Sequence, residues 1–177
     1  VKTRYTQIWA YDRNWKPLWT VENPGGYRTA HQPVAVDLDG DGRDEIMAGF
    51  AMLNANGSTR WVFKSQKIEQ GRGHCDAFRL VRAAKRPEDA RFVITMCGAN
   101  GIALLDGNGT PIWEVGGEHF ESVDVGKISA DADGLRDPEA FFVSDHGDLL
   151  RAAARGADDA DGPLARHARR AEGDAID

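Results

Sequence analysis

Leu105-Asp106-Gly107-Asn108-Gly109, leading to Trp113, is the stretch on which the reading of this 177-residue chain turns. An apolar strand end runs into an Asx/Gly turn that tolerates positive φ, and a second strand leaves it carrying a Trp at a fixed offset, which is the sequence form of a β-hairpin. The same form stands at Leu53-Asn54-Ala55-Asn56-Gly57 leading to Trp61, and at Tyr11-Asp12-Arg13-Asn14 leading to Trp19. The second and third copies each follow a unit that begins with a histidine, His31 and His74, and His119 opens a further unit. The period is roughly 40 to 50 residues, the length of one four-stranded propeller blade.

Working outward from the hairpins, Val34, Val36 and Leu38 alternate as a strand, and Glu45 to Phe50 follows as a second. With the Leu53 and Trp61 hairpin they complete a blade over residues 27–70. Strands Cys75 to Val81 and Phe92 to Cys97, with the Ile102 and Trp113 hairpin, make a second over 71–117. Residues 1–26 read as an incomplete blade broken by Asn23-Pro24-Gly25-Gly26, and 118–147 as a partial one with strands around Val123 and Glu139 to Ser144. The expected fold is therefore all-β: a β-propeller fragment of about three blades of four-stranded antiparallel sheet, incomplete at both ends, since a closed propeller takes about four to eight blades. From about Asp148 to residue 177 the composition is almost entirely Ala, Arg, Asp and Gly. That tail reads either as a linker, disordered or helical, or as the product of a shifted reading frame, and in either case as functionless. An unclosed run of blades is expected to aggregate or swap and to be inactive by itself.

A formal charge of -6 argues against nucleic acid, which requires a basic stripe. No apolar run reaches the about 20 residues needed to cross a bilayer, so no membrane partner is expected. An acidic sugar polymer needs only a local cluster of Arg and His and stays open.

The sharpest chemical signal is Asp37-Leu38-Asp39-Gly40-Asp41-Gly42-Arg43-Asp44-Glu45. Carboxylates at alternate positions around a Gly turn wrap a calcium ion, which takes about six to eight oxygens. Asp37, Asp39 and Asp41 are the expected side-chain ligands, the Arg43 carbonyl a backbone ligand and Glu45 the closing carboxylate. Flanked by strands, the segment resembles the calcium loops of FG-GAP repeats, and its expected role is to hold a blade together; an empty acidic turn and a substrate-facing ion are the alternatives. A decayed copy stands at Asp131-Ala132-Asp133-Gly134 with Asp137 and Glu139. In blade topology this loop lies on one face, whereas His31, His74, His119 and the Gly98-Ala99-Asn100-Gly101 turn ring the other. A histidine at a strand head is often a hydrogen-bonding core residue, but recurrence at one repeat position favours a site.

The segment Gly71-Arg72-Gly73-His74-Cys75-Asp76-Ala77, together with Asp37 to Ile46, resembles the G-x-G-H-G-D-A and D-x-D-G-D-G-x-D-E-I segments of rhamnogalacturonan lyases of the polysaccharide lyase eleven type, with Cys75 in place of a Gly. The likeness covers about residues 27–147. It implies a secreted or periplasmic parent protein whose calcium-stabilised propeller cleaves an acidic polysaccharide by β-elimination. That reaction requires a neutralised uronate carboxylate and a base, for which a neutral imidazole is suited. His74 is the first candidate base; His119 or His31 holds substrate or acts as the acid, with Tyr27 a further acid candidate. Arg72, two residues before His74, reads either as a solvated loop charge or as the clamp for the carboxylate, and Asp76 and Glu121 stand at the same offset after His74 and His119, to orient an imidazole or bind a second cation.

Cys75 and Cys97 fall near each other if their strands pair, so a disulfide and two thiols are both open, whereas their spacing matches no zinc pattern. Trp19, Trp61 and Trp113, with Phe63, Phe92, Phe141 and Phe142, read as core; Trp9 and Trp15 lie outside the repeat. The competing function is a non-catalytic FG-GAP-type propeller for adhesion or carbohydrate binding, which gives no reason for histidines at successive blade heads.

Overall fold

The structure, a computed structural model, describes residues 5–71, 73–116, 119–126, 139–144, 149–153 and 164–165. The described residues are mostly β-strands in antiparallel sheets, with almost no helix. A hairpin of β1 (Gln7–Tyr11) and β2 (Pro17–Glu22) comes first. Three four-stranded sheets follow, each with its strands in sequence order: β3 (Thr29–Val36), β4 (Glu45–Gly49), β5 (Ala51–Leu53) and β6 (Thr59–Val62); β7 (His74–Arg82), β8 (Arg91–Cys97), β9 (Gly101–Asp106) and β10 (Pro111–Gly116); β11 (Phe120–Gly126), β12 (Glu139–Ser144), β13 (Leu149–Ala153) and β14 (Leu164–Ala165). A short helix, α1 (Gln66–Gly71), joins the first of these sheets to the second.

The third sheet departs from expectation. The strand pattern was to stop at about Asp148, yet Leu149–Ala153 pairs with β12 and Leu164–Ala165 with β13. Strand pairing uses the backbone, which every residue but Pro supplies, so a composition poor in β-formers hides a strand without forbidding it. The remainder of the tail, and Asp131 to Asp137, lie outside the described residues.

The three hairpin turns are built alike. Asn54 and Asp106 each accept the amide of the Gly that follows, Gly57 at 2.8 Å and Gly109 at 3.0 Å, and both glycines have positive φ, 84° and 78°. In the first hairpin the corresponding bond runs from the Trp15 amide to the Asp12 carbonyl at 3.0 Å, and Trp15 itself takes the positive φ, 63°. The repeated Trp then locks each hairpin to the next. Trp19 Nε1 donates to the Ala55 carbonyl and Trp61 Nε1 to the Gly107 carbonyl, each at 2.9 Å. A Cβ at Gly57 would meet the Trp19 ring, and one at Gly109 the Trp61 ring.

The core is shared between neighbouring sheets. Along β8, Phe92, Ile94 and Met96 join the cluster that holds Met47, Phe50, Met52 and Phe63 of the preceding sheet, while Val93 joins the one that holds Phe120 and Val123 of the following sheet. Strand alternation thus buries both faces of the middle sheet. Ile8 of the first hairpin packs with Ala48 and Leu53 in the same manner.

Candidate functional site

Each leading strand is irregular at its start. Between the pairs Thr29–Gly49 and Val34–Met47, β3 carries extra residues, His31 among them, and Pro33 removes an amide from the ladder there. Between Cys75–Met96 and Phe78–Ile94, β7 carries an extra residue, and the Ala77 amide leaves the ladder for Thr95 Oγ1 at 2.9 Å. A bulge at Glu121 in β11 follows the same plan. Such bulges re-aim side chains, and here they turn three strand heads toward one point.

That point is the Asp76 carboxylate, whose side chain is 4% exposed. Asp76 Oδ1 lies 2.9 Å from His74 Nε2 and 3.1 Å from His31 Nε2, and the two Nε2 atoms are 2.8 Å apart. Asp76 Oδ2 lies 3.5 Å from His119 Nε2, which in turn sits 2.8 Å from Cys97 Sγ. Glu121 approaches His119 Nε2 only to 3.8 Å. Despite these approaches neither Asp76 oxygen has a hydrogen bond of acceptable direction among the described residues. Burial holds the His74 imidazole below the usual histidine value, against the pull of Asp76 and with His31 and Arg28 adding to it. His74 is therefore neutral at pH 7.

His31, His74 and His119 come together as the repeat implied, and Tyr27 does not join them. Tyr27 packs its ring edge-on against Phe50, centroids 5.8 Å apart, at the margin of the first core cluster. Arg72 lies outside the described residues. Where Tyr27 was expected stands Tyr5, its ring 4.9 Å from that of His74 and 5.6 Å from that of His31, with the Arg28 guanidinium 5.5 Å from the Tyr5 ring. Arg28 stands three residues before His31, as Arg72 stands two before His74, a signal present in the sequence; the pairing of the two cysteine strands already pointed to Cys97, whereas Tyr5 had no signal. The cysteines are both thiols. His74 faces Cys97 across the ladder and Cys75 faces Met96, so the two sulfurs occupy alternate positions of the register. Burial pushes the Cys75 thiol far above its ordinary value.

At the opposite end of β3, Asp37, Asp39 and Asp41 bring carboxylate oxygens within 4.8 Å of one another. Asp37 accepts the amides of Gly40, Asp41 and Gly42 at 2.8–3.1 Å, and Asp41 that of Arg43 at 2.8 Å. Glu45 is engaged elsewhere: buried at 4% exposure, it accepts the Leu38 amide at 3.0 Å and pairs with Arg60 at 2.9 Å. Arg60 also pairs with Asp39 at 3.0 Å, while Asp39 Oδ1 is buried with no partner among the described residues. That orphaned oxygen beside two other carboxylates fits a hard cation held by Asp37, Asp39 and Asp41.

No family model matches the chain, and no curated protein matches it by sequence. Among solved structures it is similar to rhamnogalacturonan lyase YesX, with a TM-score of 0.60 at 18% identity over 86% of this chain and 27% of that one. Rhamnogalacturonan lyase YesW matches with a TM-score of 0.59 at 19% identity, over 86% of this chain and 26% of that one. The V. cholerae biofilm matrix protein Bap1 matches at 0.51 and 15% identity, over 70% and 23%. The chain thus spans about a quarter of the length of each, and the likeness is one of fold.

Proposed function

We propose that the chain is part of a polysaccharide lyase that cleaves an acidic, uronate-containing polymer by β-elimination, acting outside the cell or in the periplasm. In this reading the three four-stranded sheets are blades of a propeller, and a calcium ion on Asp37, Asp39 and Asp41 braces the first of them. The observation that carries the reading is the convergence of His31, His74 and His119, from the heads of three successive sheets, on one buried carboxylate. Elimination needs the uronate carboxylate neutralised and a proton taken from the adjacent carbon and returned to the leaving oxygen. Arg28 is the cation described at the rim. The neutral His74 imidazole and the Tyr5 phenol beside it are the groups that exchange protons. The solved lyases of similar fold support the substrate class.

The test is ultraviolet absorbance of the unsaturated uronate on incubation with acidic polysaccharides. A rise that His74→Ala and Tyr5→Phe abolish supports elimination; no rise with any uronate polymer, in a folded protein spanning the full set of blades, refutes it.

One feature favours a second reading, non-catalytic carbohydrate binding. Trp15 is 75% exposed and holds a backbone conformation that its repeat partners reserve for Gly. With Trp9 and Tyr11 it lines a shallow recess suited to stacking on a sugar ring. Polymer binding lost in Trp15→Ala without any elimination product selects that reading.

A further inference from the structure

We propose that the turn of the first hairpin is a binding site for a carboxylate-bearing sugar ring, stacked on Trp15 and held at its acid group by the Arg13 guanidinium. The site rests on the carbohydrate-binding reading of that recess and serves a lyase and a binding protein alike. Tyr11, Trp15 and Leu18 are the exposed large hydrophobic side chains among the described residues, and all belong to this one hairpin. Exposed apolar groups scattered singly need no explanation, whereas a cluster marks an interaction site. The recess that Tyr11 and Trp15 line with Trp9, Asp12 and Arg13 has a volume of about 450 Å³. That lies within the about 300–1,000 Å³ of small-molecule sites.

The other two hairpins show that Trp15 does not serve packing. In them the equivalent residue is Gly, and the Trp ring of the preceding hairpin lies on it, so that a Cβ would strike the Trp19 ring at Gly57 and the Trp61 ring at Gly109. A Trp at this position forbids such a lock, and the turn is therefore not shaped to receive a further hairpin of the same kind. Trp15 keeps its ring there at a φ of 63°, a strained conformation of the sort that persists at ligand clamps. Its ring meets that of Tyr11 at 6.2 Å and 55°, which leaves most of the indole to solvent. The C–H face of a pyranose is apolar and packs on the negative face of an indole.

The polar groups select the ring. Asp12 spends Oδ1 on its own turn, accepting the Asn14 and Lys16 amides at 2.8 and 2.9 Å. Arg13 is exposed and has no ion pair or hydrogen bond among the described residues. In a chain of net charge -6, an uncommitted guanidinium beside an exposed indole matches a sugar that carries a carboxylate, which Arg binds through two parallel hydrogen bonds. The second Asp12 oxygen is an acceptor for a ring hydroxyl. This site stands apart from the histidines. Tyr5, which touches His74, precedes β1, whereas Trp15 follows it, and the five residues of β1 alone span about 13 Å. A polymer bound at the turn is anchored at the far end of the hairpin from the imidazoles.

The experiment titrates the 177-residue chain with a trisaccharide of galacturonic acid and with its methyl ester. Calorimetry counts sites and affinities, and ultraviolet absorbance of any unsaturated product is followed in parallel so that cleavage is not read as binding. The acid is expected to bind at least about tenfold more tightly than the ester, the least that a charge-assisted hydrogen bond supplies. Arg13→Gln should remove that preference, and Trp15→Gly should remove one site; far-ultraviolet circular dichroism checks that both variants fold. A site count unchanged by Trp15→Gly overturns the proposal together with the carbohydrate reading of the recess. Equal affinity for acid and ester, with one site lost in Trp15→Gly, overturns the proposal alone and leaves that reading standing. Self-association that Trp15→Gly abolishes, with no sugar bound, makes the recess an interface between copies of the chain and overturns it as well.

Discussion

Trp15 occupies the turn position that Gly57 and Gly109 hold in the other hairpins, at a φ of 63° where a side chain costs about 1–2 kcal/mol. Its ring is mostly in solvent and meets Tyr11 at 6.2 Å, so little burial offsets that strain. Trp15→Gly is therefore expected to raise stability by about 1 kcal/mol in urea unfolding, a gain in the face of losing a large side chain; a loss of stability would show that the ring is held by contacts outside this hairpin. The two thiols differ in the same residue-by-residue way. Cys75 is fully buried, bonded to the Ala77 carbonyl at 3.4 Å, and its thiol is pushed far up by burial, whereas Cys97 is half-buried. Since only the thiolate reacts, a disulfide reagent should label Cys97 first in the native protein and reach Cys75 only with unfolding. Simultaneous labelling would contradict the register of β7 and β8.

The acidic loop shows what an element adds to a motif. The alternate carboxylates were legible because loop chemistry is local: Asp37 folds the turn around itself through three amides. That Glu45 turns inward was not, because its partner Arg60 comes from β6, distant in sequence. Removing Arg60 leaves the buried Glu45 carboxylate with the Leu38 amide alone. Arg60→Ala should thus cost about 1–3 kcal/mol, the penalty of an under-satisfied buried acceptor, and Arg60→Lys should restore part of it. Calcium should raise the unfolding midpoint of the native sequence and leave that of Asp39→Asn unmoved; an equal rise in both would place the ion elsewhere. The histidine site divides in the same manner. Its three imidazoles were visible as a repeat position, while Asp76's centrality depends on bulges, and Tyr5 on a contact across the chain. Bulges and long-range contacts are set by register and packing, which leave no periodic trace in sequence.

At the scale of the molecule, the sheets are not independent units, because each core cluster is shared by two neighbours. Phe92 illustrates the consequence. It is fully buried in the middle sheet, stacked on Phe78 at 5.1 Å and 6.5 Å from Trp61 of the preceding sheet. Phe92→Ala is expected to cost about 3–5 kcal/mol, a large part of the about 5–15 kcal/mol that holds a domain together. A sheet with its own core would confine that loss, and fluorescence from the tryptophans and far-ultraviolet circular dichroism would then report separate transitions in the variant. With a shared core the damage is common property: both signals should move to lower denaturant by the same amount and stay superimposed. Trp19 reports on the first hairpin, which touches the next sheet through the Ala55 carbonyl and the Gly57 turn, so its environment should be lost with the rest. Transitions that separate in Phe92→Ala, with the first hairpin surviving, would show that the chain of tryptophan locks holds neighbouring sheets without the aromatic core between them.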